Sequence, residues 1–161
     1  MSKIKKTLKQ VGKILANALS KELEAQVHIA SSTNSIIDSF RVKATDKFVD
    51  ITTDKSYANV LETGIKKGGK FPNREAIEDW VRKKGFARNE TEVKQIAYAV
   101  GLKIQKEGVP TNESFRHSTN GRRIGFIDQV LKENEDNITE MIMNALTFDV
   151  EVMFNKLPKE L

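Results

Sequence analysis

The sequence predicts an α+β fold, in which an N-terminal helix and a β-hairpin pack against several further helices, the last of them at the C-terminus. Two periodicities lead to this class. Over residues 3–28, apolar residues beginning with Ile4, Leu8 and Val11 recur at spacings of three and four, which is typical of an amphipathic helix. Over residues 39–53, apolar and polar residues alternate instead, which is the period of a half-buried strand.

The hairpin prediction depends on two short runs and the turn between them. Val42 and Ala44 alternate with basic residues, and residues 48–53 form the returning strand. Asp46 and Lys47 lie between the two runs, where short polar residues favour a tight turn. We therefore expect a small antiparallel sheet of two strands.

Glycine and asparagine mark the helix boundaries in the middle of the chain. A short helical turn ends at Gly64, and a loop rich in glycine and lysine follows it. The next helix is capped by Asn73 and ends at Gly85. A longer helix begins at Asn89 and ends at Gly108. These boundaries predict three helical segments between the hairpin and residue 110.

Residues 111–123 are polar apart from Phe115, and we interpret them as an insert loop and a candidate arm for contacts with a partner. Helical spacing resumes at Phe126. Between residues 148 and 154 apolar residues also alternate with period two, which would fit a strand. We favour a C-terminal helix, because residues 138–146 are firmly helical in pattern and no helix breaker precedes Pro158.

The length of 161 residues predicts one domain, residues 1–161, because domains commonly contain about 100–150 residues. Hydrophobic residues make up 39% of the chain and charged residues 30%, which suits a globular protein with much polar surface. No stretch approaches the ~18 consecutive apolar residues of a membrane-spanning helix. A basic amphipathic helix such as residues 3–28 can also bind a membrane surface, but we favour a helix packed on the core with its lysines in solvent, and we expect no membrane partner.

The residue types that catalysis or metal binding would need are absent or isolated. The chain has no cysteine, which excludes disulfides, thiolate metal sites and cysteine nucleophiles. Its two histidines, His28 and His117, have no cysteine partner and no second histidine at metal-binding spacing. No serine lies in a nucleophile motif. We therefore predict that the protein is not an enzyme and uses neither a cofactor nor a metal.

Two basic loop segments are candidates for contacts with other subunits or with DNA. The chain carries a net charge of +5. The candidate residues are Lys66, Lys67, Lys70 and Phe71 in the first segment, and Arg116, Arg122 and Arg123 in the second. Loop cations reach a phosphate backbone without reading sequence, and no pattern of interleaved aromatic residues is present to stack on bases. Nonspecific DNA contact and ordinary surface charge are both compatible with these segments.

Three patterns between residues 57 and 110 follow one another in a fixed order. They are Tyr-Ala-x-x-x-Glu-x-Gly from Tyr57, Ile-x-x-Trp-Val-x-x-Lys-Gly from Ile77, and Lys-Ile-x-x-Glu-Gly-x-Pro from Lys103. Together they resemble the neck or tail-completion proteins of tailed bacteriophages, in which an N-terminal helix and a β-hairpin come first. The matching structural positions are Tyr57, Glu62, Gly64, Trp80, Gly85 and Gly108. We expect Tyr57, Trp80 and Val81 to pack in the core between sheet and helices.

The resemblance implies a virion structural protein at the head–tail junction, assembled in the host cytoplasm. Proteins of that family form a ring around the DNA channel and join the connector to the tail. The expected partners are therefore further copies of this chain, connector and tail proteins, and DNA by nonspecific contact. The insert at residues 111–123 departs from the family pattern. The alternative interpretation is a small basic protein that binds nucleic acid without sequence specificity.

Overall fold

A computed structural model describes residues 2–26, 36–55 and 57–156. These residues form five α-helices and one two-stranded antiparallel sheet, which confirms the α+β class. In chain order the elements are α1 (Lys3–Gln26), β1 (Arg41–Ala44), β2 (Val49–Thr52), α2 (Ala58–Thr63), α3 (Arg74–Lys84), α4 (Glu90–Glu107), a 3-10 turn (Ser114–His117) and α5 (Phe126–Phe154).

Helices α1 and α5 form an antiparallel pair that contains most of the first hydrophobic cluster. The start of α1 is bonded to Asp149 near the end of α5, and Gln26 at the end of α1 is bonded to Ile124 just before α5. The apolar stripe of α1 faces inward, as the spacing predicts. The buried residues of this cluster are Val11, Leu15, Leu19, Leu23, Ile36, Phe126 and Val130.

The hairpin lies against α1 at a glycine. Val42 pairs with Ile51 and Ala44 pairs with Val49, and Asp46 and Lys47 lie in the turn as predicted. A Cβ on Gly12 would overlap the side chains of Val42 and Val49. The sheet can approach the helix this closely because Gly12 has no side chain.

The second hydrophobic cluster lies between α3 and α4 and contains no strand among the residues described. Its buried members are Ile77, Val81, Val93 and Ala97. Trp80 is partly buried against them, and its ring meets the ring of Phe86 edge-on at a centroid distance of 5.5 Å.

The expectation of one sheet–helix core for Tyr57, Trp80 and Val81 was therefore wrong. Tyr57 packs on the first cluster, whereas Trp80 and Val81 belong to the second. The chain leaves the first cluster after α2 and returns to it at α5. Residues close in sequence thus serve different cores. The division into one domain stays a prediction.

The predicted helix boundaries agree with the observed ones. The Asn73 side chain accepts a hydrogen bond from the Ala76 N–H (3.2 Å), and the Asn89 side chain accepts one from the Glu92 N–H (2.9 Å). Gly85 ends α3 in the left-handed conformation, with φ of 65°. The C-terminal segment is one continuous helix, so the strand alternative for residues 148–154 was wrong. Residues 27 and 28 of the first predicted helix lie outside the described residues.

We predict that Gly12→Ala destabilises the protein, although alanine is the better helix former. The helix propensity gained is about 0.5–1 kcal/mol. Forcing a methyl group against the stiff Val42 and Val49 side chains costs about 1–3 kcal/mol. Urea unfolding should therefore show a net loss of stability. Adding Val42→Ala should return part of that loss; an equally large loss in the double variant would contradict the packing argument.

Candidate interaction surfaces

Glu62 connects the short helix α2 to the start of α5. Its carboxylate accepts hydrogen bonds from the backbone N–H groups of Ile127 (2.7 Å) and Asp128 (3.3 Å), and its carbonyl oxygen accepts one from Gly125 (3.0 Å). Gly125 holds the N-cap position of α5 and has no side chain to cap the helix. Glu62 supplies that cap from another element and places negative charge at the positive end of α5.

Gly64 and Gly108 lie on either side of a short backbone bridge. The Ile65 N–H donates to the Val109 carbonyl at 3.0 Å, and the Val109 N–H donates to the Ile65 carbonyl at 2.9 Å. The two glycines have φ of 72° and 83°. A Cβ on Gly64 would overlap the Val109 carbonyl oxygen, and one on Gly108 would overlap the Ile65 carbonyl oxygen. Only glycine fits either position, so the first and third sequence patterns meet at this bridge.

The loop after the bridge carries exposed positive charge. Its cations are Lys66, Lys67 and Lys70, all with exposed side chains. The loop is held against the end of α4, because the Gly68 N–H donates to the Gln105 carbonyl at 2.7 Å. Lys106, in the last turn of α4, is also exposed. These lysines are accessible, and their contact with a partner stays a prediction.

Phe71 is largely used within the chain. Its ring lies against Gly101 of α4, where a Cβ would overlap it, and stacks on Tyr98 at a centroid distance of 5.8 Å. The sequence could not indicate this, because it does not show that the loop folds back on α4. Phe71 anchors the loop, which limits what it can offer to a partner.

The first half of the polar segment 111–123 also lies at the end of α4. Lys103 of α4 forms an ion pair with Glu113 at 3.0 Å, and Arg116 lies 3.7 Å from the same carboxylate. The hydrogen bond that Lys103 donates to the Glu113 carboxylate raises the pKa of Lys103. Arg116 is exposed. Its segment and the lysine loop both contact the last turns of α4, through Glu113 and Gly68 respectively, so the two segments border the same end of this helix.

The second half of the segment is tied to the end of α1. Arg122 contacts the buried Glu22 carboxylate at 3.3 Å, and Arg123 donates to the Gln26 carbonyl at 2.7 Å. Thr119 donates through its backbone N–H to the Ala25 carbonyl at 2.8 Å. Burial lowers the pKa of Arg123. Residues 119–123 are thus held against the end of α1 by these contacts, and the contact of segment 111–123 with a partner stays a prediction.

An exposed apolar surface lies on the C-terminal half of α5, which was not among the sites predicted from the sequence. It consists of Met143, Leu146, Val150, Met153 and Phe154, whose exposed fractions range from 43% to 69%. Their spacing puts them on one side of the helix, away from Ala145, which is buried. We call these five residues the outer stripe. A helical count over residues 143–154 would have found it in the sequence.

Three residues of the outer stripe, Leu146, Val150 and Met153, line one wall of an open groove of about 900 Å³. The other walls are the start of α1 and the hairpin turn at Asp46. Asp149 holds this end together, because its carboxylate accepts hydrogen bonds from the N–H groups of Lys3 and Ile4, each at 2.9 Å. These two bonds lower the pKa of Asp149.

Charge is distributed unevenly between the two long helices. Helix α1 carries six lysines and two glutamates, whereas α5 carries seven carboxylates and one lysine. Lys5, Lys9 and Lys13 recur every four residues on α1, and all three are exposed. We call these three residues the lysine ridge. In the described part of the chain, none of them forms an ion pair.

The described residues contain no group of three or more His, Asp or Glu side chains placed to hold a metal ion. No helix within them has both the length and the hydropathy to cross a bilayer. No protein-family model, curated protein or solved structure matches this chain. The sequence patterns and the surfaces described above are therefore the basis for assigning a function.

We predict that Glu62→Ala lowers the free energy of unfolding by about 1–2 kcal/mol, because it removes a charged cap from α5. Glu62→Gln keeps one acceptor oxygen and should lose less. Glu24→Ala, at an exposed glutamate of α1, serves as the matched control. Urea unfolding at neutral pH measures all three. Equal stability of Glu62→Ala and the control would contradict the capping role.

We predict that Asp149→Asn weakens the protein at neutral pH and has less effect in acid. A carboxyl whose pKa is lowered by folding stabilises the folded state above its unfolded pKa of about 3.9. That contribution is lost as the pH falls through the lower folded value. Thermal unfolding across this range should show the wild type and the variant converging in acid. Asp50→Asn, on the exposed face of β2, is the control. A difference independent of pH would refute this.

Proposed function

We propose that this protein is a structural component of the virion of a tailed bacteriophage. In this proposal it forms a ring at the head–tail junction, surrounds the DNA channel and joins the connector to the tail. The order of the three sequence patterns, together with the preceding helix and hairpin, supports the assignment. The first and third patterns also share a structural role, since Glu62, Gly64 and Gly108 all act where the chain passes between the two clusters.

The observation that carries the proposal is the outer stripe of α5. Contiguous exposed apolar surface on a small protein is typical of sites of protein–protein contact. Five large apolar side chains on one side of a helix would be costly to leave in water. An assembly protein needs such a surface, because its function is to contact neighbouring subunits.

A second candidate function is nonspecific binding of nucleic acid. The specific support is the group of exposed lysines around the end of α4, formed by Lys66, Lys67, Lys70 and Lys106. Cations in this arrangement would contact phosphates, and the affinity would fall steeply as salt rises. In a ring the same lysines would meet the DNA in the channel, so the two functions are compatible.

The test is to locate the protein and to determine its assembly state. We expect mass spectrometry of purified phage particles to detect the protein, and we expect negative-stain images of the purified chain to show closed rings of one size. Absence from purified particles would overturn the virion assignment. A monomer that shifts DNA in a salt-dependent manner would support the second candidate instead.

A further inference from the structure

We propose that the outer stripe of α5 docks on the lysine ridge of α1 in a second copy of this chain. This inference rests on the proposed ring, because it names the two surfaces that would meet between neighbouring subunits. Charge, apolar exposure and the positions of the two surfaces each favour a second copy as the occupant.

The charges flanking the outer stripe complement the lysine ridge. Asp136, Glu140 and Glu151 lie beside the stripe by helical spacing, and all three are exposed. We call these three residues the acidic row. Within the described residues, neither the acidic row nor the lysine ridge forms an ion pair. A contact between copies would therefore bring two uncompensated charge clusters of opposite sign together.

The lysine ridge also offers apolar surface that can cover the outer stripe. Lysine side chains have long apolar stems, which lie along an apolar surface while the ammonium groups stay in contact with water or carboxylates. The lysine ridge spans about 12 Å of helix, the outer stripe about 16 Å from Met143 to Phe154, and the acidic row about 22 Å from Asp136 to Glu151, so the ridge can lie along most of the stripe and part of the row. The stems would cover the stripe, and the ammonium groups would reach the carboxylates beside it.

The positions of the two surfaces favour a directional contact. The stripe lines the groove beside the hairpin turn, and Lys9 and Lys13 are not part of that groove. They lie on the side of α1 away from Leu8, Val11 and Leu15, which are buried. Each copy therefore offers two separate and different faces. Contacts of this kind run head to tail and close into a ring when the rotation permits.

The test uses charge reversal with rescue. One variant carries Lys5→Glu, Lys9→Glu and Lys13→Glu, and the other carries Asp136→Lys, Glu140→Lys and Glu151→Lys. All six positions are exposed, so both variants should fold, which circular dichroism and thermal unfolding will verify. By analytical ultracentrifugation, we expect each variant to associate about tenfold or more weakly than the wild type.

Mixing the two variants should restore the oligomer. In the mixture, the reversed ridge of one variant can meet the reversed acidic row of the other. The native ridge of the second variant can likewise meet the native acidic row of the first. A merely structural defect would not be cured by mixing. The control matched to the ridge variant carries Lys66→Glu, Lys67→Glu and Lys70→Glu, which changes the net charge by the same amount on a different surface.

Each other outcome overturns the inference in a distinguishable way. Wild-type rings that persist in both variants would exclude this docking and leave the ring function standing. Dissociation by the loop control and not by the ridge variant would move the interface to the end of α4. A wild-type chain that stays monomeric and is missing from phage particles would overturn the docking and the proposed function together.

Discussion

The fold depends on two contacts between the segment that leaves the first hydrophobic cluster after α2 and the segment that returns to it before α5. They are the backbone bridge between Ile65 and Val109 and the cap that Glu62 places on α5. At the bridge between Ile65 and Val109, two backbone hydrogen bonds fix the geometry, and both flanking positions require glycine. Three residues before the bridge, Glu62 caps the helix that begins after the return. The bridge ties the segment that leads from α2 toward α3 to the segment that follows α4.

The antiparallel pair of α1 and α5 is closed at both ends by polar contacts. At one end the Asp149 carboxylate binds the first backbone N–H groups of α1. At the other end, Arg122 and Arg123 bind the last turn of α1. These contacts hold the polar segment 119–123 against α1. Arg122 pairs with the Glu22 carboxylate and Arg123 donates to the Gln26 carbonyl, and both acceptors would be costly to bury without a partner.

The same pair divides the surface into regions of opposite charge. Opposite net charges on packed neighbours favour the pairing within one chain, but the lysine ridge and the acidic row both point away from the contact between the two helices. The exposed apolar side chains of α5 lie beside the acidic row, so a surface that carries positive charge would complement this side of the helix. The proposed head-to-tail contact between copies uses these two faces.

Local structure could be predicted from the sequence alone. Helical spacing placed α1, glycine and asparagine placed the ends of α3 and α4, and alternation placed the hairpin, because each signal acts over a few neighbouring residues. Packing between distant segments settled that Trp80 and Tyr57 serve different clusters, that Phe71 folds back on Gly101, and that Arg122 and Arg123 bind α1. Those outcomes depend on which distant segments meet. A cation or an aromatic residue in a loop has the same neighbouring sequence whether its side chain contacts a partner or its own chain, so the sequence cannot distinguish the two cases.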